Sequence, residues 1–209
     1  MKRLALLGAS GHGKVVADMA ALSGWTTIEF FDDAWPQRTR NGAWPVVGDT
    51  DTLLTRLNEF DGVVVSIGDC AVRWYKHQLL LSKAAPLVNI IHPSAQLSPH
   101  AVLGIGSVVM ACAAINVDAV LGQACIINTG ATVDHDCRID HAVHISPGAH
   151  LSGAVSVGMG SWIGVGSAVK QGISIGSRVL VGAGAVVVNA VADGLTVVGN
   201  PARPLQKKR

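Results

Sequence analysis

The residues of this chain best suited to chemistry are an imidazole set between two carboxylates, Asp134-His135-Asp136, and a second imidazole nine residues on, His144. An imidazole exchanges protons near neutral pH, and an adjacent carboxylate fixes its tautomer and stabilises the charged ring. Either Asp134 or Asp136 can serve, and the sequence alone does not choose. Asn128 offers an amide donor, although Asn also suits a tight turn. His141 and His150 read as plain surface residues, and His77, His92 and His100 stand in no comparable cluster.

A second chemical feature is the loop Gly8-Ala-Ser-Gly-His-Gly-Lys14. Glycines between a strand and a helix let backbone N–H groups approach a phosphate, and the helix start favours its charge. Asp32 and Asp33 fall about twenty residues on, where a ribose-binding acid sits in dinucleotide folds. However, the spacing is G-x-x-G-x-G rather than G-x-G-x-x-G, and the domain is too short for both halves of such a fold. A mononucleotide is the better fit, with Gly11, His12, Gly13 and Lys14 near its phosphates or sugar and Asp32 or Asp33 near its base.

These residues must be held by two kinds of structure. Residues 1–85 read as alternating strands and helices: strands over Arg3–Ala9, Thr26–Phe31 and Gly62–Ile67, helices over His12–Ser23, Thr50–Leu57 and Asp69–Lys83. Such alternation implies a small parallel sheet with helices on its faces, a Rossmann-like half domain. From Ile91 to Val187 every sixth residue is Ile, Leu or Val, seventeen in succession. A second series four places later, Ala95 to Val191, is mostly small and never charged.

This hexapeptide repeat is the signature of a parallel β-helix. Three hexads close one triangular coil, so seventeen make between five and six coils, a prism about 27 Å long at ~4.8 Å per coil. The second domain therefore spans residues 86–209. The ends need covering, by the amino-terminal domain at one and by Ala192–Arg209 at the other. His135 is third in its hexad, near a corner, and should point outward. Cys125 and Cys137 fall on the small inward series and read as core residues.

Composition narrows the function. Hydrophobic residues make up 49% and charged ones 14%, which excludes a disordered chain. The net charge of +2 gives no reason to expect nucleic acid, and the run Lys207–Arg209 reads as a solvated tail. Met1–Gly8 has the features of neither a signal peptide nor a membrane span. The four cysteines lack C-x-x-C spacing, which suits free thiols in a reducing cytoplasm.

Several segments, in order, resemble one family: Gly8–Lys14, Phe31-Asp-Asp33, Asn128-Thr-Gly-Ala131, Asp134-His-Asp-Cys137, His144-Ile-Ser-Pro-Gly148 and Val198-Gly-Asn-Pro-Ala-Arg203. Together they are similar to the bacterial UDP-N-acetylbacillosamine N-acetyltransferases, whose relatives act on sialic acid and perosamine. The resemblance implies a left-handed β-helix, against the usual crossover rule. It also implies acetyl-CoA as acyl donor, a nucleotide-linked amino sugar as acceptor, no metal, and a cytoplasmic homotrimer with active sites between subunits.

Residue by residue, the resemblance makes His135 the base, favours Asp136 as its partner and puts His144 at the substrate. It gives Asn128 and Gly153 the thioester oxygen. Gly153, Gly164, Val165, Gly182 and Ala183 would line the CoA groove, with Lys170, Arg203 and the terminal basic residues toward its phosphates. Three other readings compete: a sugar O-acetyltransferase, a β-helix metal enzyme of the carbonic-anhydrase type, and a non-catalytic scaffold. The metal reading needs three convergent imidazoles; His135, His141 and His144 are close, but the spread-out ligand spacing of that group is absent.

Overall fold

A computed structural model describes residues 2–205. The Lys207–Arg209 tail lies outside the described residues.

The amino-terminal unit is built around a three-stranded parallel sheet, in which β1 (Arg3–Leu7) lies between β2 (Thr27–Phe31) and the later strand Gly62–Val65. Near-continuous apolar runs form these strands because helices cover the sheet. The first helix, α1, spans Gly11–Leu22. A short antiparallel hairpin absent from the expectations follows, β3 (Arg40–Asn41) and β4 (Trp44–Pro45). Its residue Asn41 donates to the Ser10 carbonyl at 3.0 Å and so props the glycine loop. Next come α2 (Thr50–Thr55), the sheet strand β5 (Gly62–Val65) and α3 (Cys70–Ser82). Asp49 and Asp69 cap α2 and α3 through backbone N–H groups of Thr52 and Val72.

The remainder is a parallel β-helix. Each aliphatic hexad position ends a two-residue strand, from Ile90–Ile91 to Val186–Val187. Strands pair in parallel with those 18 residues away, as Ile91 with Val109 and Ile127 with Ile145. Three flat faces result, called here I (eight strands), II (six) and III (five). The aliphatic and small series together fill the interior, Cys125 and Cys137 among them.

The corners carry a rule that the hydrophobic pattern did not reveal. In fourteen consecutive hexads, from Gly106 to Arg178 and Gly184, the fourth residue has positive φ. Half of these are not glycine: Cys112, Asp118, Ala124, Asp136, Ala142, Ala154 and Arg178. A non-glycine residue pays about 1–2 kcal/mol for this conformation, which the stacked coils enforce.

The placement of the amino-terminal unit corrects the expectation that it would cover an end of the prism. It lies along the side instead. Its apolar surface, including Val16 and Met19, joins Ile90, Val108, Met110 and Ile126 of face I in one buried cluster. Helix α3 runs along the corner between faces III and I, placing His77 against Gly106, Arg73 on Ala124 and Ala142, and Cys70 beside Ser161. Face I has apolar outward residues where faces II and III carry Thr132, His150, Arg138 and Ser156, so the unit covers the greasiest side. At the far end, Thr196–Val198 extends face I and pairs antiparallel with Arg203–Pro204.

Candidate active site

His135 stands exposed on the corner between faces II and III, with 55% of its side chain accessible. Its Nδ1 lies 2.8 Å from Asp136 Oδ2. Asp136 occupies the positive-φ turn position, at φ 61°, and that backbone turns its carboxylate onto the ring. Asp134 is otherwise engaged: its Oδ1 accepts from the His135 backbone N–H at 2.8 Å and from Asn116 Nδ2 at 2.8 Å. The hydrogen bond to Asp136, more than any other cause, raises the His135 pKa above the ordinary imidazole value. With Nδ1 bearing the proton, Nε2 presents its lone pair outward. Gly153 sits one coil below, so close that a Cβ there would overlap Nε2 and Cε1 of His135.

A second cluster sits where the amino-terminal unit meets face I. His144 is 5% exposed: it points outward from the coil, but the amino-terminal unit covers it. Its ring packs 4.1 Å from that of Trp162, and its Nε2 lies 3.1 Å from Asn128 Nδ2. His12 approaches from the glycine loop, ring centroids 6.4 Å apart. Burial pushes His144 down to about 3 and His12 down to about 4, with the Arg73 cation adding to both. Both rings are therefore neutral at physiological pH. His12 Nε2, His144 Nδ1 and Ser146 Oγ are buried without a partner among the described residues, so this contact carries unmet hydrogen-bonding groups.

The glycine loop has the geometry for an anion. Ser10, the residue before α1, makes no side-chain cap, unlike Asp49 and Asp69 before α2 and α3, and the first turn of α1 holds no acidic residue. The first N–H groups of α1 are thus open to a ligand. A Cβ at Gly13 would overlap the Gly8 carbonyl, so glycine is needed there. The other predicted loop partners diverge. Gly8, Ser10, Asp32, Asp33 and Lys76 line one cavity of about 250 Å³. Lys14 lines a different one, with Gly42 and Trp44. Asp32 accepts from the Ala9 N–H at 2.7 Å, and Asp33 is held by Thr50 and Lys76. Asp32 thus braces the loop, and Asp33 ties the start of α2 to α3. Gly11 faces open space.

Gly164, Val165, Gly182 and Ala183 fall on the corner between faces I and II, below Asn128 and Ser146. Cβ atoms at Gly164 or Gly182 would overlap the next turn of chain, and Val165 is 51% exposed. Lys170 and Arg203 are exposed. Within one chain this column, with Asn128 and His144, lies a whole prism side from His135 and Gly153, one six-residue hexad, which spans at most about 20 Å.

Two residues of this region escaped the sequence reading, Trp162 and Arg73; only their place in the hexad register and on α3 could have pointed to them. His141, expected at the plain surface, instead stacks on Trp74 of α3 at 4.9 Å. His135, His141 and His144 occupy different corners and faces, so within one chain, among the described residues, they do not converge. The four cysteines are free thiols, and burial pushes Cys125 up to about 12.

A hexad β-helix bearing an exposed histidine–carboxylate pair, joined to a glycine-loop α/β unit, defines a hexapeptide-repeat acyltransferase with a Rossmann-like half domain. Residues 3–80 match the PglD N-terminal domain family. The acetyltransferase domain of PglB from Neisseria gonorrhoeae, solved with acetyl coenzyme A, is 45% identical over 98% of this chain and 99% of that one, with a TM-score of 0.93. PerB from Caulobacter crescentus, solved with CoA and GDP-perosamine, is 40% identical over 99% and 98%, with a TM-score of 0.92. A curated relative, the UDP-N-acetylbacillosamine N-acetyltransferase of Bacillus subtilis, is 39% identical over 115 residues, about half of each chain. The chain belongs to this family of acetyl-CoA-dependent sugar N-acetyltransferases.

Proposed function

We propose that this protein transfers the acetyl group of acetyl-CoA to an amino group of a nucleotide-linked sugar, of the UDP-4-amino-4,6-dideoxy (bacillosamine) type, in bacterial glycan assembly. The observation that carries the reading is His135, exposed, with Nδ1 on Asp136 and Nε2 open above Gly153. His135 Nε2 takes the proton as the amine nitrogen attacks the thioester carbonyl. The Gly153 N–H, which has no acceptor among the described residues, stabilises the oxyanion. The carbon–sulfur bond then breaks, and CoA leaves as a thiolate that picks up the proton.

The amino-terminal unit, residues 1–85, holds the nucleotide sugar, its phosphates at the open start of α1 and its sugar near His12 and His144. Residues 86–209 hold acetyl-CoA along Gly164, Val165, Gly182 and Ala183. Reacting groups must approach to about 3–3.5 Å, yet one chain keeps its two half-sites a prism side apart. A cytoplasmic homotrimer with each site formed between neighbours meets that requirement, and Asn128 of one chain then assists the thioester held near His135 of the next.

The test is release of CoA thiol across a panel of nucleotide amino sugars and hydroxyl-bearing sugars. Amino sugars should turn over; release with hydroxyl acceptors alone would replace this reading with O-acetyl transfer. A His135→Ala protein should fold, bind acetyl-CoA and lose about 10²–10⁴-fold in turnover. Undiminished turnover would rule out His135 as the base.

A further inference from the structure

Arg73 is the bulkiest of the fully buried side chains, 1% exposed. Among the described residues no carboxylate pairs with it. A buried cation in that state persists only if its N–H donors are met, and all five are. Nε donates to Ala124 O at 2.7 Å, and Nη1 to Ile67 O at 3.0 Å and Gly68 O at 2.6 Å. Nη2 donates to Ala142 O at 2.7 Å, with Cys70 Sγ at 3.6 Å and Val143 O at 3.5 Å.

The acceptors lie on both sides of the contact between the glycine loop and face I. Ile67 and Gly68 follow Ser66, whose Oγ donates to the Gly8 carbonyl at 2.7 Å, and Ile67 packs so tightly on Gly8 that a Cβ there would overlap it. Ala142 and Val143 immediately precede His144. One guanidinium therefore spans from the floor of the glycine loop to the strand bearing His144. We infer that Arg73 is the positioning residue that sets the gap between the glycine loop and His144, and with it the grip on the acceptor substrate. This inference rests on the reading of the place where His12 meets His144 as the nucleotide-sugar site. Lysine cannot replace it, since one ammonium does not span the same fork of acceptors. The ionisable groups facing the cation are His12 from the loop, Cys70 and His77 from α3, and Cys125 and His144 from the β-helix; burial lowers the three histidines, with the cation adding to it, and raises the two thiols, with the cation opposing it.

The test compares Arg73→Met and Arg73→Lys in the full chain. It measures the KM for each substrate separately, the ring titrations of His12 and His144 by NMR, and the amide signals of Gly8–Lys14. Arg73→Met should raise the KM for the nucleotide amino sugar about tenfold or more, leave that for acetyl-CoA within about twofold, and move both ring titrations upward. Arg73→Lys should restore the titrations but not the KM. Wild-type KM values in Arg73→Met, or equal changes for both substrates, would overturn the inference. Should Arg73→Met fail to fold, Arg73→Lys decides: a raised sugar KM supports it, an unchanged one refutes it. If the wild-type protein turns over no amino sugar, the acetyl-transfer reading falls, while the titrations and loop signals still judge whether Arg73 joins loop and strand.

Discussion

Acidification should weaken this fold through two particular histidines. His12 is held near 4 and His144 near 3, mainly by burial. In the unfolded chain both titrate near 6.5. A group whose folded pKa is depressed contributes stability that is present above its unfolded value and lost as pH falls toward the folded one. The window is therefore from about 6.5 down to about 3. Near pH 5 the unfolded state has taken up almost both protons and the folded state almost none, a loss of roughly 2 kcal/mol for each ring. Together this is about 4 kcal/mol, a large part of a typical stability of ~5–15 kcal/mol. Urea unfolding near pH 7 and near pH 5, on the wild type and on a His12→Gln, His144→Gln double variant, measures it. The wild type should lose about 4 kcal/mol more than the variant. Equal losses, or ring titrations near 6.5 in the folded protein, would refute the reasoning.

Other outcomes follow from the same geometry. Asp136→Asn removes the hydrogen bond that raises the His135 pKa, so the acidic limb of the pH profile of kcat/KM should shift to lower pH while the rate at its plateau drops. Gly153→Ala puts a methyl against the His135 ring, so turnover should fall about a hundredfold with the melting temperature nearly unchanged. Arg178→Gly relieves an exposed positive-φ residue and should stabilise the protein by about 0.5–1 kcal/mol in chemical unfolding.

The β-helix was legible from sequence because its core repeats every six residues, and one aliphatic side chain per hexad leaves a trace no other fold produces over seventeen periods. The sheet strands and helices of the amino-terminal unit were legible too, from apolar runs and helical spacing. The docking of that unit was not. It depends on which face of the prism carries Val108, Ile126 and Trp162 outward, and residues beside the core series look alike in a chain so rich in Val and Ala. His144 illustrates the point: its hexad position says outward, and only the unit lying over face I makes it buried. Arg73 looked like any helical arginine, since its partners are main-chain carbonyls, which sequence does not mark. The pairing of His135 with Asp136 rather than Asp134 was favoured by the resemblance alone, since both acids flank the ring and the choice depends on the left-handed backbone at Asp136.

The uniform corner geometry has a consequence for how the chain finds its shape. When fourteen successive turns share one backbone form, sliding the winding by a full 18-residue lap preserves nearly every local interaction. Backbone pairing alone therefore cannot tell the true alignment from a shifted one. The discrimination falls to α3, whose unlike side chains meet the coils at separate heights: His77 packs where only Gly106 leaves room for it, Arg73 takes the Ala124 and Ala142 carbonyls, and Cys70 reaches that of Ser161. That helix acts as a ruler laid against the spiral, and a lap-shifted winding would leave its graduations unmatched.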